Sequence, residues 1–269
     1  MKRYHRILLT GAAGRLGREL RKSLGTVAET VRITDCEAME DLRPHEEAVV
    51  CDLGERQAIL DLTRDVDAIV HFGGIACEGT FDAILRSNII GSYNVYEGAR
   101  QNGISRIVFA SSVHAIGFWG LEDHIDADSP VRPDSLYGVA KTYVESLSRL
   151  YWDKFGIESL CLRIFSSFEE PADRRMLWSW LSYDDCADYV RQGLLAPRVG
   201  HTIAFGISKN AVRPVDNSKA GHIGWTPRDS SEPYRRAVEN TCPPPDPNSV
   251  GARTLGGWFC ELGHPDDTP

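Results

Sequence analysis

The sequence predicts an α/β fold with a doubly wound parallel sheet, on three observations. Short apolar runs alternate with segments of helical periodicity from the first residues onward. Most of those runs are continuous rather than alternating, as expected of strands covered by helices on both faces. A glycine-rich turn, Gly11-Ala12-Ala13-Gly14-Arg15-Leu16-Gly17, falls between the first such run and the first helix.

Strands are predicted at Arg6–Thr10, Thr30–Thr34, Ala48–Cys51, Ala68–Phe72, Arg106–Ala110, Glu158–Ile164 and Thr202–Gly206. Helices are predicted at Arg15–Leu24, Arg56–Thr63, Phe81–Asn102, Leu136–Phe155 and Tyr183–Leu195. Right-handed crossovers between successive strands make this a Rossmann-type arrangement. The proline run Cys242-Pro243-Pro244-Pro245-Asp246-Pro247 punctuates the tail, which is expected to wrap the surface.

Composition is ordinary for a folded protein of 269 residues, 42% hydrophobic and 25% charged. The net charge of −8 argues against a nucleic-acid or anionic-membrane surface, because both reward clustered Lys and Arg. Cys36, Cys51, Cys77, Cys161, Cys186, Cys242 and Cys260 include no Cys-x-x-Cys pair and read as buried, reduced thiols, with no metal site expected. Met1-Lys2-Arg3 precedes the apolar Ile7-Leu8-Leu9, but a secretory signal needs about 7–15 apolar residues. Gly11, Gly14 and Arg15 interrupt that run, and no stretch approaches the ~20 apolar residues of a membrane span. The expected location is cytoplasmic, without a nucleic-acid or membrane partner.

The position of the glycine turn gives it chemical meaning. Gly11 permits the tight turn, Gly14 lets backbone approach a pyrophosphate, and Gly17 allows close helix–strand packing. The diphosphate then sits on the helix N-terminus, where free N–H groups and the helix dipole favour an anion. Gly11, Ala13, Gly14, Arg15, Leu16 and Gly17 are the expected contacts. Asp35 ends the second strand, 18 residues after Gly17. A carboxylate there accepts from adenosine ribose hydroxyls and repels a 2′-phosphate, favouring NAD over NADP. Asp52 and Leu53, after the third strand, are assigned to the adenine, and Gly73, after the fourth, to backbone approach. His71 reads as a packed histidine. Residues 1–165 are thus expected to form the NAD-binding domain and 166–269 most of a smaller substrate-binding lobe, the two interleaved.

Tyr137-Gly138-Val139-Ala140-Lys141 opens a predicted helix. Tyr137 and Lys141 stand at i and i+4 and share one face. A tyrosine titrates near ~10, and a neighbouring ammonium with a positive nicotinamide is expected to lower that toward working pH. Lys141 can also hold the nicotinamide ribose. Ser112, after the fifth strand and 25 residues before Tyr137, is expected to hydrogen-bond the reacting oxygen.

With these features the sequence resembles the extended short-chain dehydrogenase/reductase family over nearly its whole length, and within it the uronate dehydrogenase branch. The family segments are Leu9–Gly14, His71–Ile75, Asn88–Gly91, Ile107–Ser112 and Leu136–Val139; Arg175–Leu177 and Pro243–Asn248 carry the branch. The resemblance implies NAD-dependent oxidation of a hexuronate, glucuronate or galacturonate, at C1 to the aldarolactone. It implies Tyr137 as base, Lys141 as its support, and Ser112 as the hydroxyl-orienting residue. It also implies Arg175 pairing with the substrate carboxylate, His114 and Ser166 lining the sugar site, and Asn88 among the cofactor residues. A guanidinium fork suits a carboxylate. Two positions depart from the branch pattern: Ala76 replaces a serine and Val113 an asparagine, which removes two hydrogen-bond options to the sugar. Subunits of this family commonly pair through helices matching Phe81–Asn102 and Leu136–Phe155, so a homo-oligomer is expected. Alternative readings are a nucleotide-sugar epimerase, dehydratase or reductase of the same family, and a non-catalytic NAD(P)-sensing protein. No acid follows Ser112, which argues against a dehydratase; the intact Tyr–Lys pair argues against a sensor.

Overall fold

The computed structural model describes residues 4–267, so the basic start Met1–Arg3 lies outside the described residues. The first half alternates strand and helix: β1 (Tyr4–Thr10), α1 (Arg15–Leu24), β2 (Ala28–Asp35), β3 (Glu46–Val50), α2 (Arg56–Leu62), β4 (Ala68–His71), α3 (Phe81–Ile84), α4 (Gly91–Gln101), β5 (Arg106–Ser112) and α5 (Leu136–Phe155). The second half adds β6 (Glu158–Ile164), β7 (Ser166–Ser167), α6 (Met176–Ser179), β8 (Trp180–Leu181), α7 (Tyr183–Leu195), β9 (His201–Gly206), α8 (Arg235–Thr241) and α9 (Val250–Arg253). Seven strands form one parallel sheet in the order β3-β2-β1-β4-β5-β6-β9, and β7 pairs with β8 in a separate two-stranded ladder. The strand order reverses about β1 and β4, which opens a crevice at the carboxyl edge between them.

The continuous apolar runs arise because successive strand residues enter different cores. Ile7 and Leu9 of β1, Val108 of β5, and Leu160 and Leu162 of β6 pack with Leu20 and Leu24 of α1 and with Tyr189, Val190 and Leu194 of α7. Leu8, Ile107, Phe109 and Cys161 face the opposite side, against Val95 and Tyr96 of α4 and Val144, Leu147 and Tyr151 of α5. Only the edge strand β3 departs, with Val49 and Val50 exposed. β9 and α7, from the second half of the chain, complete the main sheet and its cover.

Three expectations need correction. The predicted single helix 81–102 contains a π-helical stretch at Leu85–Ile90 between α3 and α4. Such wide turns re-aim side chains, and here Asn88 is aimed back at the loop after β4. The tail wraps the surface only in part: residues 242–253 are exposed or half-buried, while Leu255 and Phe259 are buried, Leu255 completely. An apolar pair within a Gly-rich stretch has no periodicity to announce it, and Phe259 lines the cleft described below. The seven cysteines are all free thiols, and Cys36 and Cys77 are exposed rather than packed. Among the described residues no helix is long and apolar enough to cross a membrane.

Candidate active site

A cleft of about 970 Å³ runs along the carboxyl edge of the sheet. One end is walled by Gly11, Ala13, Gly14, Arg15, Leu16, Gly17, Asp35, Asp52, Leu53 and Gly73, the other by Ser112, His114, Tyr137, Lys141, Ser166 and Arg175. Every site residue singled out from the sequence therefore lines one cavity, except Asn88. Its amide accepts from Ile75 N at 2.8 Å and donates to Ile75 O at 2.9 Å. It pins the loop that carries Gly73 rather than facing the cleft.

The glycine turn has the shape of a dinucleotide cradle. Gly11 adopts φ 73°, and a Cβ there would lie 2.5 Å from Phe72 O. A Cβ on Gly17 would lie 2.0 Å from Gly11 O, so α1 can reach β1 only through glycine. Asp35 Oδ2 accepts from Ala13 N at 2.9 Å and Oδ1 from Cys36 N at 2.8 Å, fixing the carboxylate at the end of β2. The Asp52 carboxylate is already engaged, by Gly54 N at 2.8 Å and by Arg86 at 2.8 Å. Both interactions lower its pKa. Arg86 also lines the cleft and was not singled out from the sequence. This end fits NAD: a glycine-only approach, a helix N-terminus for the diphosphate, and a fixed carboxylate where the ribose hydroxyls would lie.

At the other end, three devices hold α5 in place. Glu78, in the loop after β4, accepts from Leu136 N and Tyr137 N, both at 3.0 Å. Ser135 Oγ accepts from Gly138 N at 2.9 Å. A Cβ on Gly138 would lie 2.3 Å from His114 O, so the helix sits directly on the turn after β5. Together they satisfy the first N–H groups of the helix and bring Tyr137 near Ser112, whose hydroxyl acts to lower the Tyr137 pKa. His71 is fully buried, bonded to Thr10 at 2.8 Å and Ser92 at 3.0 Å, and burial lowers it to about 3. It is the neutral packed histidine expected.

The electrostatics of the pair differ from the sequence expectation. Lys141 Nζ donates to Ala110 O at 2.7 Å and lies 5.2 Å from the centroid of the Tyr137 ring. Burial pushes Tyr137 up to about 12, with the Ser112 hydrogen bond opposing, and pushes Lys141 down to about 8. The expected lowering of the phenol by the ammonium is not what the protein alone provides. Desolvation of a buried group disfavours its charged form, and here it is the largest influence on Tyr137.

His114 Nδ1 lies 2.8 Å from Asp134 Oδ2, and its ring stacks on Phe259 at 3.8 Å between centroids. Arg175 donates to Ser166 Oγ at 2.6 Å and to Leu255 O at 2.5 Å, while its Nε is sealed from solvent without a partner. Among the described residues it makes no ion pair. Desolvation lowers its pKa, and the charges of Asp173 and Asp134 offset this only in part. A sunken cation lacking a bonded carboxylate is costly unless a ligand supplies the anion.

The chain matches the NAD dependent epimerase/dehydratase family over residues 7–181. It is similar to a uronate dehydrogenase of Pseudomonas putida, 47% identical over 95% of this chain and 98% of the relative. Its structure is similar to that of a glucuronic acid dehydrogenase from Chromohalobacter salexigens, with a TM-score of 0.96, 45% identity and coverage of 98% and 99% of the two chains. It is also similar to a uronate dehydrogenase from Agrobacterium tumefaciens, solved as a tyrosine-to-alanine mutant with NAD, with a TM-score of 0.94, 44% identity and coverage of 97% and 98%.

Proposed function

The chain belongs to the NAD-dependent epimerase/dehydratase family, and from that membership we propose that it oxidises a hexuronate at C1 to the aldarolactone with NAD. The observation that carries this reading is Arg175, a half-buried guanidinium whose Nε is sealed without a partner and which bonds no protein carboxylate, lining the same cleft as Tyr137.

Arg175 takes the uronate carboxylate in a charge-assisted bond and thereby fixes which end of the sugar reaches Tyr137. Ser166 and His114 meet ring hydroxyls. Ala76 and Val113 line the same wall but offer no polar side-chain atom, so water or nothing meets the sugar there. Ser112 hydrogen-bonds the C1 oxygen and directs its proton to Tyr137. Tyr137, as phenolate, takes the proton from the C1 hydroxyl while C1 loses hydride. The C1–oxygen bond becomes a carbonyl, and the ring ester so formed is the lactone. The glycine turn and Asp35 would hold NAD, which when bound would supply the hydride acceptor and a positive ring that favours the phenolate burial alone disfavours. Lys141 supplies the second positive charge beside Tyr137 and a donor for the ribose.

The segment 166–269 supplies most of the substrate lobe, interleaved with the NAD-binding domain 1–165, whose sheet it completes through β9 and α7. The outer face of α5, with Val139, Leu150 and Phe155 exposed, supports a homo-oligomer. The free cysteines support a reducing, cytoplasmic setting.

NADH formation with glucuronate and galacturonate tests the reading. Turnover with NAD on a uronate, lost in Tyr137→Phe while NAD still binds, is the expected outcome. Conversion of a nucleotide sugar without net NADH would replace it with an epimerase. NAD binding without turnover would replace it with a sensor.

A further inference from the structure

Behind Lys141 lies a buried ion pair to which the mechanism above gives no role. Arg163 Nε and Nη2 donate to the two Glu145 oxygens at 2.9 and 2.8 Å, and Ser111 Oγ donates to the same carboxylate at 2.5 Å. Glu145 is 6% exposed and Arg163 2%, and Arg163 Nη1 has no partner. A buried pair of this kind is often no more stable than apolar residues of similar volume, so stability alone does not account for it.

Its position does. Glu145 follows Lys141 by four residues and Tyr137 by eight, on one stripe of α5. Ser111 precedes Ser112 on β5, and Arg163 stands on the neighbouring strand β6. The groups facing the ammonium are few. Its own helix presents Tyr137 and Glu145. Strand β4 presents His71, which is neutral. Strand β5 presents the Ala110 carbonyl and the Phe109 ring, 4.9 Å away. Strand β6 brings Arg163 against Glu145, on the carboxylate rather than on the ammonium itself.

We propose that the Glu145–Arg163 pair sets the charge of Lys141: Glu145 keeps the buried ammonium protonated beside Tyr137, and Arg163 limits how strongly it does so. The proposal rests on the reading of Lys141 as the support of Tyr137. Burial draws Lys141 down to about 8, and the Glu145 charge opposes that fall. Both residues are therefore positioning residues acting through Lys141.

The two halves of the pair must act with opposite sign. Glu145→Gln removes the anion and leaves Arg163 uncompensated, and both changes disfavour the ammonium. Arg163→Gln leaves Glu145 unbalanced and favours it. Carbon NMR titration of lysine side chains in the cofactor-free protein reads this directly, with Lys141 assigned by its disappearance in Lys141→Met. The expected shift is about one pH unit down in Glu145→Gln and up in Arg163→Gln, with the alkaline limb of kcat moving the same way. Where Glu145→Gln does not fold, Glu145→Asp withdraws the charge by one methylene and gives a smaller downward shift. Shifts of the same sign in both variants, or none in either, would overturn the proposal and leave a purely structural ion pair. The uronate reading fails separately. Opposite NMR shifts in a protein that forms no NADH from any uronate would remove that reading and leave the charge-setting pair in place.

Discussion

Phe259 stacks face to face on His114, with 3.8 Å between ring centroids and 25° between planes. The contact joins the tail of the chain to the turn after β5 and makes the substrate end of the cleft depend on residues near the C-terminus. Phe259→Ala removes a buried aromatic ring, which costs about 3 kcal/mol of stability. It also frees one face of the His114 ring, while Asp134 still holds its Nδ1 edge. The expected result is a several-fold higher KM for uronate with the Kd for NAD unchanged, measured by initial rates and calorimetry.

Burial of Lys141 carries a stability cost whose sign is testable. Burial holds its pKa at about 8 in the folded protein, against the ordinary lysine value of 10.5. Below pH 8 the folded state must hold a desolvated ammonium, and the penalty is complete there. Between pH 8 and about 10.5 the folded chain has released the proton while the unfolded chain still binds it, so stability rises with pH and the penalty disappears. Lys141→Met is therefore expected to be inactive yet more stable at pH 7, by about 2 kcal/mol in urea titrations, with the difference vanishing at high pH. A variant less stable at pH 7 would contradict this.

The strands and helices of the doubly wound half were legible because each has a long periodic or continuously apolar signal, as in 15–24 and 136–155. The residues of the glycine turn, Asp35, Ser112, Tyr137 and Lys141 were legible because local spacing places them. Arg175 and His114 were legible only through resemblance, since a loop arginine beside Asp173 and Arg174 has no distinguishing pattern. Glu78, Asp134, Arg86 and Phe259 were missed. Each acts across a long stretch of chain: Glu78 reaches Tyr137 over 59 residues. β7 and β8, two residues each, are too short to carry any periodicity. The upward pull on Tyr137 in the cofactor-free protein was not legible because sequence shows the charge at i+4 but not the desolvation.

Glu78 accepts the first two N–H groups of α5, from a different segment of chain. Glu78→Ala is expected to cost about 1 kcal/mol of stability. It should lower kcat by roughly an order of magnitude through loss of Tyr137 placement. Glu78→Gln, which retains acceptor capacity through one oxygen, should fall between. Equal kcat in all three proteins would show that the cap does not position Tyr137.

Asp35 faces the cleft with its carboxylate fixed by Ala13 N. Asp35→Ala removes the ribose acceptor and the repulsion of a 2′-phosphate together. The ratio of kcat/KM for NAD over that for NADP is expected to fall by at least about tenfold, which corresponds to roughly 1.4 kcal/mol. An unchanged ratio would mean that another group sets the preference.

The account turns on a carboxylate meeting Arg175 while the sugar's C1 meets Tyr137. The most direct measurement is kcat/KM for galacturonate and for galactose, in the native protein and in Arg175→Ala. A charge-assisted contact of this kind predicts a loss of about 10²-fold on galacturonate, carried by KM, and little change on galactose. Equal losses on both sugars would contradict the carboxylate role and with it the uronate reading.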